Sequence, residues 1–449
     1  MAKVRGLSDI LTYFRRNEKP IFFVSPTPFN LMGVEKFIHR FYHINYFDSF
    51  DGQHPRVFVP SEKSHDEFES MEDVCNYMLQ HKEVIDRIKK AGKGPAKLLF
   101  VMFDEKTEEI CNELGVDIAL PPAALRKRLD SKIELTKLAN KAGIDSAPNV
   151  LGKADSFEEL MKSAKKGKLG TDLVVQTPYG DSGRTTFFIK CEADWKKNAK
   201  EMKGEQLKIM KRINHMPGTM EVCVTRHGTI SGPIQTDITG FEEITPYKGG
   251  WCGNDVWPKI FNAKIRRDLR NIASKLGDQL YQEGYKGVFC MDFLLDTDDG
   301  TPYLGEVNPR ISGASPLTNL ITSHYGGVPL FLFHMLEYLD VDYEIDLKKV
   351  QNRWNEYDFW SQLVLKQTED KVRQLTHAPR TGVWTMDKFG GISFDRSDLD
   401  WTNVIDNDEA YYLRVYREGD YTYKGADLGI IVSRGRMQTE QRELRQRAK

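Results

Sequence analysis

No stretch of this sequence approaches the ~18–20 apolar residues of a membrane-spanning helix. None of its six cysteines (Cys75, Cys111, Cys191, Cys223, Cys252, Cys290) stands in a CxxC pair or a Cys/His cluster of zinc-site spacing. Membrane-spanning and zinc-ribbon classes are therefore excluded, and reduced thiols are expected. An excess of charge of one sign is missing too, since 64 Lys and Arg stand against 65 Asp and Glu, a net charge of −1. Nucleic-acid binders usually carry a basic excess that draws phosphates, so neither nucleic acid nor a membrane is an expected partner. The opening MAKVRGLSDILTYFRRNEK lacks the uninterrupted apolar core of a secretory signal, which predicts a soluble, cytoplasmic protein. Internal repeats and low-complexity tracts are also absent. What the chain does have is 449 residues, 40% of them hydrophobic, which is room for about three domains with sizeable cores.

From Lys19, PIFFVSP reads as a strand and FNLMGVEKFIHRFY, after a glycine-containing turn, as a helix. RVFVP and AKLLFVMFD add strands, the second leading into the helical KTEEICNELG. Strands alternating with helices predict parallel βαβ units, so residues 1–125 are expected to form a doubly wound α/β domain, with any ligand near Pro26 to Gly33. In LDSKIELTKLANKAGIDSAPNVL, Asp130 or Ser131 can cap a helix that ends at Gly143. LVVQTP, the glycine-containing YGDSGRTT and FFIK predict a hairpin over residues 173–190 with a long tip. KIMKRI and TMEVCVTRHGTISGPIQTDI supply further strands, residues 263–283 a helix, and GVFCMDFLLDTDDGTPYLGEVNPR a hairpin turning at DTDDGT. After about residue 345, FWSQLVLKQ, GVWTM, YYLRVY and GIIVSR read as short strands of a β-rich C-terminal region. The tail SRGRMQTEQRELRQRAK interleaves Glu440 and Glu443 with Arg442 and Arg445 and reads as a solvated terminal helix.

Alternate residues of a hairpin share one face, so Asp292, Glu306 and Asn308 can point into the same cavity. Three oxygen donors of this kind suit Mg²⁺, which completes its octahedron with water and phosphate oxygens. Arg310, in alternation with them, could hold a carboxylate or a transferring phosphoryl group. Asp296, Asp298 and Asp299 are the turn itself and need no function. Glu306 and Asn308 lie in an otherwise apolar strand, where unpaired polar groups are costly.

On these residues the chain resembles the ATP-grasp superfamily, most closely its biotin-carboxylase-like branch. Asp292 and the run Glu306, Asn308, Pro309, Arg310 match the family's metal-binding signature, and LDSKIELTKLANKAGI matches its lysine-bearing helix start. The resemblance implies a mixed α/β and α+β architecture. Its parts are an N-terminal doubly wound pre-ATP-grasp domain (1–125), a two-subdomain ATP-grasp fold (126–345) with a mobile lid subdomain at about 148–210, and a C-terminal β-rich domain (346–449) like that of biotin carboxylases. It implies ATP and Mg²⁺ as cofactors, with Lys132 on the nucleotide phosphates and the loop 179–186, with Gly180, Ser182, Gly183 and Arg184, wrapping them. Gln176, Lys211, Ile213 and Glu221 would complete the nucleotide site. Asp292, Glu306 and Asn308 would hold the metal, while Glu306, Asn308 and Arg310 would act in catalysis.

Two departures from the family matter. Gln176 stands where many relatives carry a second phosphate-binding lysine, so either Arg184 or Lys190 compensates or nucleotide binding is weakened. Ser312 and Ala314 stand where biotin carboxylases carry the glutamine and glutamate that orient and deprotonate bicarbonate. The expected activity is therefore that of a carboxylate–amine ligase acting on small molecules and releasing ADP and phosphate. A catalytically reduced ATP-binding regulatory or scaffold module, or a bicarbonate-using carboxylase, stands as the alternative, and a homodimer is open. In ITPYKGGWCGNDVWP, Lys248, Trp251 and Asp255 are candidate substrate contacts along with Ser312, with a core-anchor role for Trp251 and Trp257 equally open.

Overall fold

Ile21–Ser25 is buried at every position, as a strand covered on both faces must be. It centres a five-stranded, all-parallel sheet in the order Val57–Phe58, Phe41–Asn45, Ile21–Ser25, Lys97–Phe100, Asp117–Ile118. The computed structural model describes residues 3–62, 68–92, 94–180, 185–354, 357 and 359–449. The helix expected over residues 29–42 does not form. Phe29–Leu31 and Val34–Lys36 are single 3₁₀ turns split by Gly33 at φ 90°, and Arg40 at φ 64° turns the chain into the strand Phe41–Asn45. The apolar residues there read as a helical stripe because a strand and two turns follow one another without a polar break.

The region expected as the lid is a four-stranded antiparallel sheet in the order Asn149–Gly152, Leu207–Lys211, Leu173–Gln176, Thr186–Ile189. It has a core of its own, in which Leu207 and Ile209 pack with Leu160, Val175 and Trp195. The helices Phe157–Lys166 and Glu192–Met202 cover it.

A ten-stranded antiparallel sheet is the largest remaining element, beside a two-stranded ribbon of Arg373–Gln374 and Tyr421–Thr422. Its order is Pro302–Asn308, Gly287–Asp296, His215–Thr225, Gly228–Thr239, Trp251–Asp255, Trp360–Lys366, Asp427–Arg434, Glu409–Arg414, Gly382–Met386, Ile392–Arg396. The β-rich C-terminal region thus continues the central sheet, through the pairs Gly253↔Leu363, Asn254↔Gln362 and Asp255↔Ser361. Gly253, at φ 148°, is needed at this seam, because a Cβ there would lie 2.1 Å from the Gln362 carbonyl oxygen. The tail forms no α-helix. It lies back on the sheet with Met437 and Leu444 buried and Arg442 donating to Thr239, so its interleaved charges flank two apolar anchors. Among the described residues no helix is long and apolar enough to cross a membrane.

His334, on the helix Phe331–Tyr338, ties the parallel sheet to the large one. Its Nδ1 accepts from the Val288 amide at 3.0 Å, so the ring proton sits on Nε2 and is donated to the Ala119 carbonyl at 2.8 Å. Gly287 makes room, since a Cβ there would lie 2.3 Å from His334 Nδ1. Burial pulls the imidazole from 6.5 down to about 3. Stability that depends on the neutral ring is therefore complete above about pH 6.5 and is lost as pH falls toward 3, at about 1.4 kcal/mol per pH unit. Urea unfolding at about pH 7 and about pH 5 should show His334→Gln less stable than wild type at the higher pH. The variant should lose about 2 kcal/mol less on acidification.

Candidate active site

Asp292 and Glu306 are direct partners across the hairpin, on the two neighbouring strands at one end of the large sheet. The row continues over two more strands, for Asp292 pairs with Thr219 and Thr219 with Gln235. Directly paired residues project from the same face, so this is a polar stripe over an otherwise apolar sheet. Asp237, two residues beyond Gln235, begins a second such row through Asn254 to Gln362. Asp292 is held from three sides, by the Thr219 hydroxyl at 2.5 Å, the Cys290 thiol at 3.6 Å and the Asn308 amide at 2.9 Å. Asn308 in turn accepts from the Arg310 guanidinium at 2.9 Å. Burial raises the pKa of Asp292 and of Glu306, and the nearby Asp292 charge raises Glu306 further.

Lys132 opposes that repulsion. Ser131 caps the helix Lys132–Lys141, which begins with the lysine aimed into the cleft. Its Nζ lies 3.3 Å from Glu306 Oε2 and donates to the Gly180 carbonyl at 2.7 Å, joining the helix, the hairpin and the lid loop. Ser182, Gly183 and Arg184 fall outside the described residues. Gln176 is at the tip end of its strand and donates to Thr186 Oγ1 at 3.1 Å. Lys190 sits at the other end of that hairpin, 3.0 Å from Asp172, roughly 13 Å of strand away from Gln176, and so cannot stand in for it. A lysine not anticipated from sequence lies here instead. Lys208 is 2% exposed, and burial beside Lys132 pulls its ammonium down to about 8 against the attraction of Glu306. The signal was present in LKIMK, where period-two alternation puts Lys208 on the face opposite Leu207 and Ile209, but only the register shows what it faces. Lys211 is exposed and Ile213 half-buried, in the connection between the lid sheet and the large one.

The loop after Arg310 is pinned to the polar face. Gln362 donates to the Gly313 carbonyl at 2.6 Å, Gln235 to the Ala314 carbonyl at 3.3 Å and Asn30 to the Ser312 carbonyl at 2.8 Å. Ser315 donates to Glu221, which has no exposed surface. Glu221, which pairs with Cys290 on the same sheet face as Asp292 and Asn308, thus supports this loop from beneath. Ser312 is 5% exposed, with its hydroxyl accepting from the Ala314 amide. Trp251 is half-buried over Gly313, where a Cβ would meet its ring at 2.6 Å, and its Nε1 donates to Asn254. Asp255 has no exposed surface and accepts the backbone amides of Met437 and Gln438, so it anchors the tail rather than reading a substrate as expected. Lys248 is exposed. Beside Gly33, where the parallel sheet was expected to offer a ligand site, a cavity of about 190 Å³ opens between Met32, Lys36, Asn319, His324 and Trp401. Among the described residues no group of three or more His, Cys, Asp or Glu side chains is arranged to hold a metal ion, so the metal-type donor set is two carboxylates and one amide.

No protein-family model matches the chain. In sequence it is 22% identical over 256 residues to the alpha subunit of mitochondrial methylcrotonoyl-CoA carboxylase from Dictyostelium discoideum. That match takes in 54% of this chain and 34% of the relative, so the chain spans about a third of the relative's length. In structure it superposes on biotin carboxylase from Campylobacter jejuni in a βγ-ATP complex, with a TM-score of 0.66 and 12% identity over 92% of this chain and 87% of the other. It also superposes on carboxyaminoimidazole ribonucleotide synthase from Aspergillus clavatus complexed with ATP, with a TM-score of 0.56 and 15% identity over 93% and 94%. The chain therefore has the ATP-grasp fold, in the arrangement of biotin carboxylase and carboxyaminoimidazole ribonucleotide synthase.

Burial pushes the Glu221 carboxyl from 4.5 up to about 7, and the Ser315 hydrogen bond opposes this. Stability linked to Glu221 is therefore complete below about pH 4.5 and is lost as pH rises through 7. Glu221→Gln keeps the shape and removes the ionisation. In denaturant titrations its stability relative to wild type should climb by up to about 3 kcal/mol over that interval, and a parallel pair of profiles would contradict the buried-carboxyl assignment.

Proposed function

We propose that this chain is an ATP-dependent ligase that activates a small carboxylate as an acyl phosphate and passes it to an amine, releasing ADP and phosphate. The observation that carries the reading is the Asp292–Glu306 cross-strand pair with the Lys132 ammonium 3.3 Å from Glu306 and 2.7 Å from the lid carbonyl of Gly180. Two half-buried carboxylates, both raised in pKa by burial and Glu306 further by the Asp292 charge, form a site short of positive charge, and a hard divalent cation fits it. Asp292, Glu306 and Asn308 would hold Mg²⁺, which when bound neutralises phosphate charge and orients the transferring group. The adenine nucleotides in both solved neighbours support ATP as the co-substrate.

In this reading Lys132 exchanges its bond to Gly180 for the nucleotide phosphates, so lid and ligand compete for the same donor. Arg310, already oriented by Asn308, presents its remaining N–H groups to the carboxylate or to the acyl phosphate formed from it. Phosphoryl transfer asks the protein mainly for position and charge, which here would come from the hairpin carboxylates, the helix start at Lys132 and Arg310 just beyond the strand. Small side chains at Ser312 and Ala314, in a loop held down by Gln235, Gln362 and Glu221, support a carboxylate bulkier than bicarbonate.

The test is phosphate release with ATP, Mg²⁺ and a panel of carboxylates, each with and without amines, with bicarbonate as one member. One carboxylate–amine pair should stimulate release. Glu306→Gln should lower the stimulated rate by more than about 100-fold while circular dichroism and melting stay close to wild type. A fully active variant, or no stimulation by any pair, would remove the ligase reading.

A further inference from the structure

The lysine that Gln176 lacks has a neighbour able to replace it. Gln176 and Lys208 are direct partners in the antiparallel ladder between Leu173–Gln176 and Leu207–Lys211. Side chains so paired leave the same face with Cβ atoms about 5 Å apart. Leu207 and Ile209 fill the lid sheet's own core, so alternation sends Lys208 the other way, toward the cleft. The Lys208 ammonium feels both Lys132 and Glu306, which puts it in the same electrostatic field as the Lys132–Gly180–Glu306 set. Gln176 is turned aside to Thr186, and Lys190 is committed to Asp172.

Lys208 is the unusual group. Lysines are almost never buried without a partner, because stripping water from an ammonium is costly unless hydrogen bonds replace it. This one is 2% exposed, and among the described residues nothing accepts a hydrogen bond or forms an ion pair with it. An anion entering the cleft between Lys132 and the lid strands would supply that acceptor. Triphosphate oxygens suit such a point charge, which, unlike the planar fork of arginine, imposes no orientation of its own.

We propose that Lys208 is the second cation of the polyphosphate site, carrying from the opposing strand the charge that Gln176 does not supply. The proposal rests on the ATP-binding reading above. It makes the absence of a lysine before the lid a relocation of charge by one strand, not a loss of nucleotide binding.

The experiment measures ATP and adenosine affinity by calorimetry in the presence of Mg²⁺ for the full chain. The proteins are wild type, Lys208→Met and the exchanged pair Gln176→Lys with Lys208→Gln, each first checked by circular dichroism. Wild type should bind ATP. Lys208→Met should bind it about 10- to 100-fold more weakly, since a hydrogen bond to a charged group is lost, and should bind adenosine as wild type does. The exchanged pair should recover most of the ATP affinity, because the cation returns on the adjacent strand. Unchanged ATP affinity in Lys208→Met overturns the proposal. So does an equal loss for adenosine, or a failure of the exchanged pair to recover, since either marks a lysine that only supports the fold. Absence of ATP binding by wild type instead overturns the functional reading itself, and the Lys208 role with it.

Discussion

The constraint on which this molecule turns is the placement of two carboxylates, Asp292 and Glu306, opposite one another on adjacent strands. At a separation of ~6 Å and an effective dielectric near ~20, two such charges repel by about 3 kcal/mol, a sizeable share of the net stability of a typical domain. The protein keeps them apart from water on one side and surrounds them with donors. Thr219, Cys290 and Asn308 serve Asp292, and Lys132 serves Glu306. These donors, with Arg310 near Asp292, only partly offset the cost of burial, to which the Asp292 charge adds at Glu306, so both groups remain raised in pKa.

Each part of the architecture contributes one side of that balance. The large sheet carries the acids and, through Gln235 and Gln362, holds the loop that follows Arg310. The lid sheet, with a core of its own, contributes Gly180 and the buried Lys208. The helix that starts at Lys132 stands between them and touches both. Lys132 is held to that loop by a single hydrogen bond to a backbone carbonyl, which in the proposed reaction a phosphate oxygen would replace, whereas the hairpin is fixed by its ladder.

Much of the site was legible because hairpins obey a period of two. Asp292, Glu306, Asn308 and Arg310 could be placed on one face from spacing alone, and Asp130 or Ser131 could be named as the cap from position before a helical stripe, of which the structure has Ser131. Asp255 and Lys190 were misread for the same reason as each other: their partners, the Met437 and Gln438 amides and Asp172, lie far away in sequence or beyond a turn whose register spacing does not reveal. The stretch 29–42 misled because its apolar residues satisfy a helical pattern as well as the turns and strand that form. The tail misled because alternating charges are read as solvated even when Met437 and Leu444 between them are buried.

By itself the sequence determined most of the kinds of element, the acidic hairpin, the helix start that carries Lys132 and the absence of a lysine before the lid. These depend on residues a few positions apart, whose relation is set by backbone geometry. Only the tertiary structure decided that the C-terminal strands extend the central sheet through Gly253, that Glu221 lies beneath a loop, and that Lys208 stands opposite Gln176. Those facts depend on strand order and register, which are settled by how separate apolar faces pack together, and no local pattern records that outcome.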